Sequence, residues 1–226
     1  MFQKTLQSCE KLQDALIGIR TFVWWDIERI LKFRDNLRIL VTTVLQNLLS
    51  TYNMSRDLSL PFLSETFFGA HLRTEIDATR SLSAEDGFYQ RYEFQSILYL
   101  KKLASTNLTL IYVASSNETE AAQFTRDAAA YSVTTKLMLL NAEDRELLSN
   151  LSWGQQAVVG FLVLTKSSKF VGIGHSSFTW NNALQRHRFL DKKKDYLNRP
   201  ELLSDELNTV FEEPGVHPEY TTYLWP

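Results

Sequence analysis

The stretch "KFVGIGHSSFTWNNALQRH" (residues 169–187) changes character at its middle. "KFVGIGH" has the length and the β-branched and aromatic content of a buried strand, whereas "FTWNNALQRH" reads as a helix for which Ser176 or Ser177 is a good N-cap. A strand that turns straight into a helix presents the free first-turn N–H groups and the positive dipole end of that helix, which suits an anion. The serine hydroxyls add donors. A plain helix cap is the other reading of the same residues. "GIG" makes no dinucleotide fingerprint, because the third glycine is absent and the strand comes last rather than first in the expected sheet.

Outward from this stretch, "TFFGAHLR" (66–73), "LTLIYVAS" (108–115) and "VTTKLML" (133–139) read as further buried strands. Helices are expected over about 85–104, with Phe88, Tyr92, Tyr99 and Leu103 on one broad face, over about 117–130, and over about 152–165, where Ser152 can cap. Strand, helix, strand repeated three times predicts an α/β fold, a Rossmann-like parallel sheet with helices on both faces. Before it, Leu12, Leu16, Ile19, Val23, Ile27, Ile30 and Leu31 recur at helical spacing, and "LSLPFLSET" (58–66) marks a joint. The expected organisation is a helical N-terminal segment over 1–58 and the Rossmann-like domain over 59–226.

Ligands of such sheets bind beyond the carboxyl ends of the strands. That rule gives weight to "FFGAHLRTE" (67–75). Alternation puts Gly69, His71 and Arg73 on one face, with His71 and Arg73 about 7 Å apart by two strand rises and Gly69 leaving that face open. Arg73 offers a planar fork of donors to a phosphate and stays charged at any physiological pH. An arginine paired with Glu75 or Asp77, beside a histidine satisfied in the core, is the structural alternative.

With 44% hydrophobic and 22% charged residues, the 226-residue chain can bury a real core. Its formal net charge of -2 supplies no general attraction to nucleic acid or to an anionic membrane, so no nucleic-acid partner is expected and any anion site is built locally. Cys9 is the single cysteine, which excludes an intramolecular disulfide and a cysteine-rich metal site. Sequons occur at Asn53, Asn107, Asn117 and Asn150. No basic-then-apolar signal sequence opens the chain. Residues 39–55 are interrupted by Thr42, Thr43, Gln46 and Asn47, so no membrane span is expected in this chain.

Together, "FFGAHLRTEIDA", "LIYVASSN", "VTTKLMLL" and "AVVGFLVLTKSSKFVGIGHSSFTWNNALQRH" resemble, in order and rough spacing, the carboxyl-terminal half of the GDP-fucose protein O-fucosyltransferase superfamily, its fungal members above all. The likeness covers about residues 60–190, and the His-x-Arg strand end and the Ser-Ser-Phe-Thr turn carry it best. It implies one half of a GT-B glycosyltransferase, with 59–226 as the nucleotide-sugar-binding domain. It also implies GDP-fucose as donor substrate, no cofactor, no metal, and a protein or glycan hydroxyl as acceptor. By position, it implies a catalytic role for Arg73 at the β-phosphate side of the donor, with His71 beside it. Ser176, Ser177, Phe178 and Thr179 would line the diphosphate and nucleoside pocket. For a full-length protein with a signal anchor it implies the ER or Golgi lumen, which the sequons fit.

The chain also departs from the superfamily pattern. It has no "GGxxNQ"-like segment, and the about 60 mostly helical residues before the first strand are too few for a second Rossmann domain. This chain alone is therefore expected to bind a donor better than it turns one over. Gly160 stands where the superfamily often has an acidic residue that helps hold the nucleoside. The functional expectations are thus a fucosyltransferase, a catalytically inactive module that binds GDP or another nucleotide, and, behind them, a Rossmann-like enzyme of another nucleotide. Glu75, Asp77 and Asp86 are candidate general bases. "RFLDKKKD" (188–195) reads as a solvated helix end, and "HPEYTTYLWP" (217–226) as a tail.

Overall fold

The computed structural model describes residues 33–74, 89–187, 190 and 204–211. The apolar repeat between residues 12 and 31, the acids Glu75, Asp77 and Asp86, Phe88, the 217–226 stretch and nearly all of 188–195 lie outside the described residues. The chain divides into a unit Met1–Asn36 and a compact unit Leu37–Pro226, which holds the sheet.

Helix α1 (Asp35–Thr51) buries Leu37, Leu40, Val41, Val44, Leu45, Leu48 and Leu49, the spacing of one helix face. It stops in a Schellman motif. Asn53 takes the left-handed conformation (φ 53°), and the amides of Met54 and Asn53 donate back to the carbonyls of Leu49 (2.8 Å) and Ser50 (3.2 Å). The joint that follows is laced to the turn before the fourth strand. Leu63 N–H donates to Lys166 O (2.8 Å), Ser168 N–H to Phe67 O (2.9 Å), and Thr66 N–H to the Ser168 hydroxyl (2.8 Å).

The sheet comprises β1 (Phe68–His71), β2 (Leu110–Ala114), β3 (Ser132–Thr134), β4 (Lys169–Ile173) and β5 (Asn208–Phe211). All pairs are parallel and the order is β3-β2-β1-β4-β5. Between the strands lie α2 (Tyr92–Ala104), α3 (Glu118–Asp127), α4 (Lys136–Leu139), α5 (Ala142–Ser149), α6 (Trp153–Thr165) and α7 (Ser177–His187). This is the α/β, Rossmann-like parallel sheet that the alternation of elements predicts. One sheet face carries Phe68, Ala70, Leu72, Ile111, Val113, Val133, Val171 and Ile173, packed with Tyr99 and Leu103 of α2 and Phe124 of α3. α6 and α7 approach the other face through Gly69 and Gly172.

The expected cap of α6 forms as a capping box, in which the Ser152 hydroxyl accepts from Gln155 N–H and the Gln155 side chain accepts from Ser152 N–H. Two expectations need correction. "VTTKLML" is a strand only as far as Thr134, because the Thr135 hydroxyl accepts from Met138 N–H and caps the helical turn α4. β4 is not the last strand either: β5 follows it and pairs along its outer side, leaving β4 central, beside β1.

β5 is fastened by a buried arginine. Arg186 of α7 donates from Nε to Asn208 Oδ1 (2.8 Å), from Nη1 to the carbonyls of Thr165 (2.8 Å) and Ser167 (2.6 Å), and from Nη2 to Leu207 O (3.1 Å). Burial pushes its guanidinium down to about 9, with Asp205 pulling the other way. It is therefore a cation at neutral pH. The Thr165 carbonyl belongs to the last turn of α6, the negative end of that helix dipole. Next to it His187 Nδ1 meets Asp205 Oδ2 (2.5 Å), and Asp205 Oδ1 accepts from the amides of Leu207 (2.7 Å) and Asn208 (3.0 Å).

Candidate functional site

The strand order reverses between β1 and β4. From β1 the chain moves through α2 towards β2 and β3, and from β4 it moves through α7 to β5 on the opposite side. At such a reversal of strand order, beyond the carboxyl ends of the two neighbouring strands, lies the crevice in which ligands of these sheets bind. His71 is the last residue of β1 and Ser177 the first of α7, so both stretches marked in the sequence end here.

His71 joins them. Its Nδ1 lies 2.9 Å from the Thr179 hydroxyl, and its ring stacks on Phe178 with centroids 4.0 Å apart and planes 21° from parallel. Phe161 of α6 meets the same Phe178 edge-on (5.3 Å, 86°). Tyr89, just before α2, stacks on His175 (5.6 Å, 18°). His71, Ser176 and Thr179 are buried, whereas Arg73, Ser177 and Phe178 are half-buried.

The first turn of α7 is left open by geometry. Its first intrahelical bond runs from Trp180 N–H to Ser176 O (3.1 Å), so the N–H groups of Ser177, Phe178 and Thr179 have no acceptor within the helix. The turn itself is held from outside, by the Trp180 indole N–H on Gly174 O (2.6 Å) and by Gly174 N–H on Phe211 O (2.8 Å). Open donors on a rigid turn can receive an anion without rearranging.

Two glycines set the depth of this corner. A Cβ at Gly172 would lie 2.4 Å from the Thr179 hydroxyl oxygen and 2.6 Å from its methyl, so the missing side chain is what lets α7 settle on β4. Gly69 does not open its face as expected. A Cβ there would meet Ser167 Oγ at 2.7 Å and Leu164 Cδ2 at 2.8 Å, because the end of α6 fills that space. Gly172→Ala is expected to cost about 1–3 kcal/mol through overpacking, with Thr179→Ala restoring part of it in the double variant. Chemical denaturation of the three variants checks this, and strictly additive losses would show that Thr179 is not the obstacle.

Arg73 lies just past the end of β1, where the ladder closes with Leu72 N–H on Ala114 O (3.0 Å). Its own backbone is taken up by a side chain instead. Gln95 Oε1 accepts from Arg73 N–H (2.9 Å) and Gln95 Nε2 donates to Arg73 O (2.9 Å). One turn on, the Tyr99 hydroxyl donates to His71 O (2.8 Å), and burial pushes that phenol well above its ordinary pKa, so it remains a donor. Sequence reasoning missed Gln95. The local signal is its place between Tyr92 and Tyr99 at helical spacing, a polar side chain on the face expected to be buried, while the strand end it meets is not readable from that spacing.

Among the described residues, the Thr74 hydroxyl, just past β1, and Gln90 Oε1, just before α2, are buried without a hydrogen-bond partner. At the end of β3, Lys136 Nζ donates to Gln156 O (2.8 Å), and burial pushes its ammonium down to about 8, against the pull of Glu118. Gly160 is buried, and a Cβ there would stand 3.3 Å from that of Ala114 at the end of β2. Among the described residues, no group of three or more His, Cys, Asp or Glu could hold a metal ion. No helix among them is long and apolar enough to cross a membrane.

The family model of GDP-fucose protein O-fucosyltransferase matches residues 3–190, beginning well before the stretch that carries the motifs. No curated protein and no solved structure matches the chain.

Proposed function

Since the chain belongs to the GDP-fucose protein O-fucosyltransferase family, we propose that the crevice beyond β1 and β4 binds the diphosphate of GDP-fucose and that the chain serves transfer of its fucose to a protein or glycan hydroxyl. The supporting observation is the junction of His71 with the first turn of α7, which sets the Arg73 strand end beside the open amides of Ser177, Phe178 and Thr179. In such a transfer the acceptor oxygen bonds to the anomeric carbon of fucose, the bond from that carbon to the β-phosphate oxygen breaks, and the hydroxyl proton passes to a base. Negative charge grows on the departing GDP. Arg73 supplies a fixed positive fork to it and the α7 amides supply preorganised donors, which is electrostatic stabilisation of a leaving group. His71 and Thr179, both buried, act by holding these donors in place. One domain of a GT-B pair and residence in the secretory lumen belong to the same reading.

Gly160 favours a second reading, a nucleotide-binding module without turnover, because this position offers no side chain to hold a nucleoside. Calorimetric titration with GDP, GDP-fucose, UDP and NAD separates them. The donor-site reading expects GDP and GDP-fucose to bind well ahead of UDP and NAD. Equal binding of GDP and UDP would support the module that does not read the base, and NAD alone would overturn both.

A further inference from the structure

We infer that Gln95 is the positioning residue of the donor site, fixing the direction in which Arg73 leaves the end of β1; this rests on the donor-site reading above. A helix that packs on a sheet gains most by presenting apolar side chains, and a fully buried amide is costly unless both its ends are bonded. Gln95 satisfies both ends on one residue. Its Oε1 and Nε2 take the N–H and the C=O of Arg73 at 2.9 Å each, as a neighbouring strand would. The β2 ladder has ended one residue earlier, with Leu72 N–H on Ala114 O.

The backbone torsions of Arg73, and with them its Cα–Cβ direction, are thus set by a side chain of α2. Tyr99, one turn along the same helix, holds the His71 carbonyl (2.8 Å) and has Gln95 Oε1 at 3.3 Å from its hydroxyl. The two helix residues grip the strand end on either side of Leu72. A fork that must meet a phosphate in a paired geometry depends on such aim more than a point charge does.

The test is a double-variant cycle read by GDP calorimetry. Gln95→Met keeps the side-chain length and removes both bonds. With Arg73 intact it is expected to weaken GDP binding on the order of 10-fold at unchanged stoichiometry, whereas partial unfolding would lower the stoichiometry at unchanged affinity. In the Arg73→Lys background the same substitution is expected to change affinity little, because the fork that needed aiming is gone.

Gln95→Glu gives a second reading should the Met variant fail to fold. A neutral carboxylic acid accepts from Arg73 N–H and donates to Arg73 O as the amide does, but a carboxylate cannot donate. Relative to wild type, its GDP affinity should therefore recover as pH falls. Wild-type affinity in Gln95→Met, the same loss with and without Arg73, or a Gln95→Glu ratio flat with pH would overturn the role of Gln95. A wild-type chain that binds no GDP, or an Arg73→Lys variant that binds it as wild type does, would overturn the donor-site reading and this role with it.

Discussion

An Arg186→Leu variant is expected to lose about 3–5 kcal/mol of folding stability, the usual result of removing one member of a buried charged network. Two effects compete. Taking the guanidinium out of water is unfavourable, as its lowered pKa of about 9 reflects, and leucine removes that cost. Against it stand the acceptors that leucine leaves without a donor, the carbonyls of Thr165 and Ser167 and the amide oxygen of Asn208, whereas Leu207 O keeps the N–H of Phe170. Each orphaned buried acceptor costs about 1–3 kcal/mol, so the loss wins. Urea unfolding of both proteins measures it, and a midpoint unchanged from wild type would mean that packing alone holds α7 to β5. For pH, the folded pKa of about 9 lies below the ordinary guanidinium value, so between the two the unfolded chain holds a proton that the folded chain has released. Stability contributed by this group rises with pH through that window. Below about 9 it is protonated in both states, so it gives no pH dependence near neutrality.

The second large effect is on binding. Arg73→Ala is expected to weaken GDP by about 1.5–3 kcal/mol, the range for hydrogen bonds to a charged group, or roughly 10- to 150-fold. The melting temperature should fall less than in Arg186→Leu, because the side chain is half-buried rather than buried and its backbone bonds to Gln95 survive the substitution. Arg73→Lys should fall between the two, keeping the charge without the fork. Unchanged GDP affinity in Arg73→Ala would remove the residue from the site. A steep fall in melting temperature would mark it as a structural cation instead.

The three central strands are legible in sequence because each is an apolar run covered on both faces, and a buried parallel strand requires little else. That the His71 and Ser-Ser-Phe-Thr stretches lie at the carboxyl edge of the sheet is legible too, but their meeting is not, because it depends on β1 and β4 being neighbours in the strand order. β5 is not. "NTVF" is four residues long, half its side chains are partly exposed, and its place depends on Arg186, which reads as the basic end of a helix. β3 is over-read for the opposite reason, since apolar content continues past Thr134 while the Thr135 hydroxyl has already begun a helical turn. Gln95 and the filled face at Gly69 belong to the same class. Each is decided by an element distant in sequence, α2 reaching a strand end or α6 covering a strand; helical spacing puts Gln95 on the buried face, but local pattern does not say what it meets there.

The family match ends at residue 190, yet the donors of Arg186 find their acceptors at Leu207 and Asn208. The border of sequence likeness therefore falls inside the cooperative unit, which runs at least to Phe211. During synthesis α7 leaves the ribosome with only the Thr165 and Ser167 carbonyls at hand for its cation, and it cannot dock in its final form until some twenty further residues have followed. The last short strand thus acts as a latch on the crevice corner: Gly174 N–H is held by Phe211 O, and the turn that carries the open amides of α7 is complete only when β5 has closed beside it.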